Sequence, residues 1–117
     1  MTAIATTGPT TLPAPPAVRD DEPLFEIING QRVELPPMSA FETNLAFNLA
    51  FYIEQFARPR RLGRAVTEIL FLLNANLDLR RRPDGAYVSF TRWPRKKKIP
   101  RQEAWEVVPE LAIEVVS

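Results

Sequence analysis

Cysteine and histidine are both absent from this chain of 117 residues. Without cysteine there can be no disulfide bond and no thiolate chemistry. Without histidine, a zinc site of the usual ligand types is nearly excluded. A bound metal ion would have to be held by oxygen atoms, which favours magnesium, calcium or manganese. The sequence also has no apolar run long enough to cross a bilayer and no secretory signal, so we expect a cytoplasmic protein without a membrane partner.

The length and composition are typical of one small globular domain, since 45% of the residues are hydrophobic and 25% are charged. Residues 1–23 are rich in proline, threonine and alanine and have no periodic apolar face. Such a segment cannot bury enough apolar surface to fold. We therefore predict a disordered tail over 1–23 and a folded domain over 24–117.

Charge is strongly segregated along the chain, although the formal net charge is only +1. Residues 58–101 hold 13 basic and 3 acidic side chains, whereas residues 102–117 hold 4 acidic side chains and no basic one. A basic segment of this kind favours a polyanionic partner through counterion release. The alternative is that it forms ordinary solvated loops, and the sequence leaves both interpretations open.

The first predicted elements are a hairpin and a long helix. Asn29-Gly30 lies between two β-prone runs, which predicts a hairpin over residues 25–34. Ser39 and Glu42 have the spacing of a capping box, and Pro59 should end the helix near residue 57. The helix should cover a sheet with its apolar positions at helical spacing, which are Phe41, Leu45, Leu49, Tyr52, Ile53 and Phe56.

Three strands should follow the helix. A continuously apolar run over 65–73 predicts a buried strand, and alternation over 86–90 predicts the next one. The last strand is expected over 111–116. Basic connections over 74–82 and 91–104 would separate these strands.

Asp84 and Glu114 are the candidate metal ligands. Asp84 stands at the start of one predicted strand and Glu114 lies within the next. Neighbouring strands are ~4.8 Å apart, so two carboxylates there could converge on one magnesium ion, which could activate water for phosphodiester hydrolysis. Glu114 is expected to be largely desolvated between apolar neighbours, and buried carboxylates are rare unless they are paired or bind a metal. The alternatives, that Glu114 faces water from an edge strand and that Asp84 belongs to an ordinary Pro-Asp-Gly turn, stay open.

Basic and aromatic side chains flank these two acids. Lysine and arginine there could hold phosphates and steer DNA without reading its sequence. Trp93 and Trp105 could stack on bases, but a place in the core is favoured. Glu42 and Glu68 are candidate third carboxylates, although helix capping already explains Glu42. The candidate nucleic-acid-binding residues are Arg80, Arg81, Arg82, Arg95, Lys96, Lys97 and Lys98.

Several blocks of the sequence occur together and in a characteristic order. They read FEIING at 25–30, VELPPMS at 33–39, RRPD at 81–84, AYVS at 86–89, RWP at 92–94 and WEVVPELAIEVVS at 105–117. In this order they resemble the Uma-two family of restriction endonucleases, over about residues 24–117. The resemblance implies the α+β fold of the PD-(D/E)xK nuclease superfamily, a mixed sheet with an N-terminal hairpin and a long flanking helix. It also implies that Asp84 is the motif aspartate, that Glu114 is the second acidic ligand, and that both bind magnesium.

The chain departs from the family pattern at three places. The family's catalytic lysine lies beyond the second acid, but residue 116 is valine and no lysine follows Lys98. Gly85 stands where the family usually has an apolar residue. The C-terminal helix and strand of the family fold have no counterpart before Ser117, so we expect a partial domain.

Three hypotheses follow from these observations. The first is a magnesium-dependent DNA endonuclease fold that is inactive at this length. A lysine from a second copy of the chain could complete its site, so a homodimer stays open. The second is a non-catalytic fragment that binds nucleic acid or another partner through its basic region, residues 58–101. The third is a chain that does not fold stably, because elements that cover its core are missing.

Overall fold

The computed structural model describes residues 22–116, and it consists of one helix and eight strands within that range. Almost all of the predicted disordered tail, residues 1–21, lies outside the described residues. The predicted α+β class is confirmed. In chain order the elements are β1 (Phe25–Ile28), β2 (Gln31–Glu34), α1 (Ala40–Ala57), β3 (Gly63–Thr67), β4 (Leu70–Asn74), β5 (Leu79–Arg81), β6 (Gly85–Ser89), β7 (Ala104–Trp105) and β8 (Leu111–Ile113).

The predicted hairpin and helix are both present, because local sequence signals determine them. Asn29 and Gly30 have φ angles of 52° and 78°, as the tight turn between β1 and β2 requires. The Ser39 hydroxyl accepts a hydrogen bond of 3.2 Å from the Glu42 N–H at the start of α1. The helix ends at Ala57, two residues before Pro59.

The predicted buried face of α1 is largely wrong. The helix packs against β3 and β6 through small side chains, and its fully buried residues are Ala46, Ala50 and Ala57. Glu54 also faces this side, where its Oε1 accepts a hydrogen bond of 2.9 Å from the Ala65 N–H on the edge strand β3. The close approach of helix and strand favours alanine there. Large side chains of α1 are exposed instead, among them Phe41, Phe47, Leu49, Phe51, Tyr52 and Phe56.

The strands form two sheets. The larger sheet has the order β2-β1-β5-β4-β7 and is mixed, since only β4 and β7 run parallel. The smaller sheet has the order β3-β6-β8 and is antiparallel. The predicted single strand over 65–73 is therefore wrong, because Glu68, with φ of 55°, separates β3 in one sheet from β4 in the other. The expected connection over 74–82 also contains a strand, β5.

The core lies between the two sheets. Phe71, Val88 and Trp105 are nearly inaccessible to solvent, and Trp93 packs edge-on against Trp105. The favoured core position of both tryptophans is confirmed. Within residues 22–116, no helix is long and apolar enough to cross a membrane. The cytoplasmic location stays a prediction.

Candidate metal centre and nucleic-acid interface

Asp84 and Glu114 lie at the facing ends of two neighbouring strands. The register of β6 and β8 places Gly85 opposite Ile113, so the residues just beyond this pair are Asp84 and Glu114. The Val115 N–H donates a hydrogen bond of 2.6 Å to Asp84 Oδ2 and so holds the chain after β8 against the Asp84 turn. Glu114 follows the strand rather than lying inside it, because β8 ends at Ile113 and not at 116.

Both acids line one cavity of about 770 Å³. The lining is rich in carboxylates, and the two candidate third ligands, Glu42 and Glu68, belong to it. The backbone of Glu68 is tied to the same turn, since its N–H donates to the Asp84 carbonyl at 3.4 Å. Within the described part of the chain, however, no three acidic side chains are grouped closely enough to hold a metal ion. The geometry therefore brings the two candidate ligands to one cavity, with further carboxylates in its lining.

The charge of Glu114 is disfavoured in this setting. Loss of hydration raises the pKa of the Glu114 carboxyl, the nearby carboxylates of Asp84 and Glu26 raise it further, and Arg81 opposes them. The expectation that Glu114 is largely desolvated is nevertheless wrong, because the residue as a whole is exposed beyond the end of β8. The carboxylates of Asp84 and Glu26 repel its charge in this exposed position as well. A cation between these carboxylates would relieve that repulsion.

Glu26 is a buried acid that the sequence reasoning did not single out. It lies on β1 with only 6% of its surface exposed, and it lines the acidic cavity. Its Oε2 accepts hydrogen bonds from the Arg82 N–H at 2.7 Å and from Arg81 Nε at 3.0 Å. The hairpin therefore holds the backbone just before Pro83-Asp84. A glutamate inside the apolar strand sequence FEII was the available signal, of the same kind as that for Glu114.

The three consecutive arginines have partners inside the protein. Arg80 pairs with Asp78 at 2.9 Å and Arg81 pairs with Glu26. The Arg82 guanidinium donates to the carbonyl of Glu68 at 2.9 Å. The contacts of Arg81 and Arg82 organise the rim of the acidic cavity, and a role of the three arginines at DNA stays a prediction.

The sequence and the fold both have counterparts among known proteins. The model of the Uma2 family, described as a putative restriction endonuclease, matches residues 11–117. The chain belongs to the Uma2 family. A crystal structure of a putative nuclease from Anabaena variabilis matches with a TM-score of 0.68 and 22% identity, over 81% of this chain and 51% of that one. That likeness shows a shared fold, and this Uma2 chain spans about half the length of that nuclease. No curated protein matches the chain.

The second group of predicted DNA-binding residues lies elsewhere on the Uma2 domain. Residues 95–98 are exposed and line a separate cavity of about 430 Å³ that shares no residue with the acidic one. The loop is anchored to the core, since the buried Trp93 ring donates from Nε1 to the Lys97 carbonyl at 3.1 Å. The Lys97 ammonium lies 4.1 Å from the centre of that ring. The structure thus separates an acidic cavity from a basic loop.

Proposed function

We propose that this Uma2 domain binds magnesium through Asp84 and Glu114 as part of a metal-dependent DNA endonuclease site. The family and the fold indicate a restriction-endonuclease-like nuclease. The observation that carries the proposal is the position of the two carboxylates at the facing ends of β6 and β8, on one cavity.

The donor set suits magnesium. This ion commonly uses one or two protein carboxylates and completes its shell with water. Asp84 Oδ2 accepts from the Val115 N–H, so Oδ1 can serve as a ligand while the other oxygen fixes the orientation of the carboxylate. Loss of hydration and then the carboxylates of Asp84 and Glu26 raise the pKa of Glu114, and a divalent cation would offset the repulsion among these carboxylates. Glu68 and Glu42 line the same cavity and could hold coordinated water.

The residues of the chain have distinct tasks in this proposal. When bound, magnesium supplies polarisation of the phosphodiester and a lower pKa of the attacking water. Asp84 and Glu114 hold the ion. Glu26 and the Val115 N–H keep the Asp84 turn in place. The exposed cations of residues 95–98 attract the DNA backbone.

We expect the 117-residue chain to bind metal and DNA without cleaving it. Residue 116, two positions after Glu114, is valine, and no lysine follows Lys98. These 117 residues therefore contain no lysine after Glu114 that could position the attacking water. A second copy of the chain is a candidate source of that group, and sedimentation with and without DNA would test such pairing.

Magnesium titration of the purified chain tests the metal site. We expect Asp84→Asn and Glu114→Gln each to weaken calorimetric magnesium binding by at least tenfold, because each removes a ligand charge. Glu34→Gln is the matched control, since Glu34 is an exposed acid on β2 outside the cavity. Equal magnesium affinity in all four proteins would refute the site. Magnesium-dependent DNA cleavage that Asp84→Ala abolishes would refute only the expected inactivity.

A second candidate function is binding of nucleic acid without catalysis. The exposed position of residues 95–98 on an anchored loop favours it. Triple replacement of Lys96, Lys97 and Lys98 by glutamine should then weaken DNA binding and lower its salt dependence, whereas Asp84→Asn should not weaken it. DNA binding that survives the triple replacement would remove this candidate.

A further inference from the structure

Arg64 is a buried cation without an acidic partner. It lies on β3 with 6% of its surface exposed, and no carboxylate of residues 22–116 is within ion-pair distance. Its Nη2 donates to the Pro94 carbonyl at 3.5 Å, the limit of hydrogen bonding, and Nη1 has no partner within that range. Burial lowers the pKa of Arg64, and the nearby Arg58 lowers it further, while Glu54 opposes them. Arginine is almost never fully buried unless it is paired.

Aromatic stacking accounts for only part of this environment. The Arg64 guanidinium carbon lies 4.8 Å from the ring centre of Phe90 and 5.8 Å from that of Trp105. Stacking uses the faces of the guanidinium and leaves its N–H donors, which point along the plane, without acceptors. A second buried donor without a partner among residues 22–116 is Nε1 of the same Trp105. Arg64 Nη1 and Trp105 Nε1 therefore both lack an acceptor, which is costly in a protein interior.

The cavity beside Arg64 is cationic. Its volume is about 430 Å³, and apart from Arg64 and Ile99 it is lined by basic residues of the segment 95–101. No acidic side chain belongs to the lining. The segment is held in shape by the hydrogen bond from Trp93 to the Lys97 carbonyl and by a turn in which the Lys97 N–H donates to the Pro94 carbonyl at 3.0 Å. A concave group of cations on an anchored loop is organised before any ligand arrives.

We propose that this cavity is a phosphate-binding site with Arg64 at its floor and the cations of residues 95–98 at its rim. A phosphate has several charged oxygen atoms and can accept from a planar guanidinium and from lysines at the same time. It would supply the acceptors and the negative charge that Arg64 lacks. The site is independent of the proposed metal centre, since the two cavities share no lining residue.

The backbone of DNA is the favoured source of this phosphate. Arg64 pairs across β3 and β6 with Val88, and Asp84 lies four residues before Val88. At ~3.4 Å per strand residue, the positions of Asp84 and Arg64 are ~14 Å apart along the sheet. A separation of this size lies within a few nucleotides along one DNA strand. One strand of DNA at the acidic cavity could therefore place another of its phosphates beside Arg64.

NMR titration of the ¹⁵N-labelled chain with inorganic phosphate, at constant ionic strength and without divalent metal, tests the site. We expect saturable shifts at the Arg64 Nε–H and along residues 95–98, and at least tenfold weaker binding in Arg64→Gln. Arg60→Gln is the charge-matched control, because Arg60 is exposed and bonds only the Phe56 carbonyl of its own helix end. If Arg64→Gln fails to fold, Lys96→Gln/Lys98→Gln at the exposed rim must weaken phosphate binding instead.

The same variants titrated with a short duplex DNA distinguish the two sources of phosphate. Loss of affinity for both ligands in Arg64→Gln would identify a DNA backbone contact. Loss of affinity for inorganic phosphate alone would support the site and assign it to a free phosphate compound. Unchanged phosphate binding in Arg64→Gln and in the rim variant would overturn the proposal and leave Arg64 a structural residue. Asp84→Asn should leave phosphate binding unchanged, so failure of the metal centre would not be mistaken for failure of this site.

Discussion

Replacement of Glu26 by alanine should destabilise the domain, because this acid joins the hairpin to the candidate metal centre. The change leaves the Arg82 N–H without its acceptor at 2.7 Å and Arg81 without its partner at 3.0 Å. An unsatisfied amide costs about 1–3 kcal/mol. The lost ion pair adds less than about 1 kcal/mol, because the Arg81 side chain is 48% exposed. Weaker repulsion among the cavity carboxylates offsets part of this, so we expect a net loss of about 2 kcal/mol.

Urea unfolding followed by tryptophan fluorescence would measure this loss, since both tryptophans lie in the core. In a thermal scan it corresponds to a decrease in Tm of about 10 °C for a domain of this size. Glu34→Ala is the control on the neighbouring strand β2, where the side chain is exposed. A loss below about 0.5 kcal/mol for Glu26→Ala, or an equal loss in both variants, would refute the role given to Glu26. The alanine variant should also bind magnesium more weakly, because the backbone before Asp84 loses its anchor.

Two further predictions concern pH and backbone packing. The raised pKa of Glu114 means that the folded chain holds this proton more tightly than the unfolded chain, so the contribution of Glu114 to stability falls as the pH rises from about 4.5. Glu114→Gln should remove that fall. Because Glu114 is exposed, the effect should be less than about 1 kcal/mol. Measurement of Tm as a function of pH would detect it. Gly63→Ala should cost ~2 kcal/mol in urea unfolding, since its Cβ would lie 2.5 Å from the Val88 carbonyl oxygen. Gly85→Ala should cost less, because the nearest atom to its Cβ would be the movable end of Ile113 at 3.3 Å. Curves of Tm against pH that are flat for both the unchanged chain and Glu114→Gln would contradict the first prediction. Equal losses of stability in Gly63→Ala and Gly85→Ala would contradict the second.

Local signals in the sequence were sufficient for the hairpin and the limits of the helix, and the order of the predicted strands was sufficient to bring the two acids together. Asn29-Gly30 and Ser39 act through hydrogen bonds and φ angles within a few residues, so their effect does not depend on the rest of the fold. Asp84 and Glu114 were paired correctly because the chain between them returns to the same sheet. Their roles as metal ligands remain predictions.

Tertiary packing determines the two features that the sequence did not predict, which are the division of residues 65–73 into two strands and the buried face of α1. The apolar run over 65–73 reads as one strand, but the left-handed conformation of Glu68 divides it between two sheets. In α1 both faces are apolar, so periodicity could not select the one that packs. The face with the alanines packs on the sheet, and the face with the aromatic residues does not, because the helix lies close to β3. There Gly63 has no side chain and the Ala65 N–H donates to Glu54.

The cations of the basic segment over 58–101 are not equally available to a DNA backbone. Arg58 and Arg80 form ion pairs with acids on their own segments, at 2.6 Å and 2.9 Å. Arg81 is paired with the buried Glu26, and Arg64 is itself buried. A cation that already has an acidic partner gains less from a phosphate, because the old pair must be broken first. The net charge of the segment therefore overstates its attraction for DNA. Cations of the loop at 95–101, which line the cavity beside Arg64, are the ones that remain available to a phosphate.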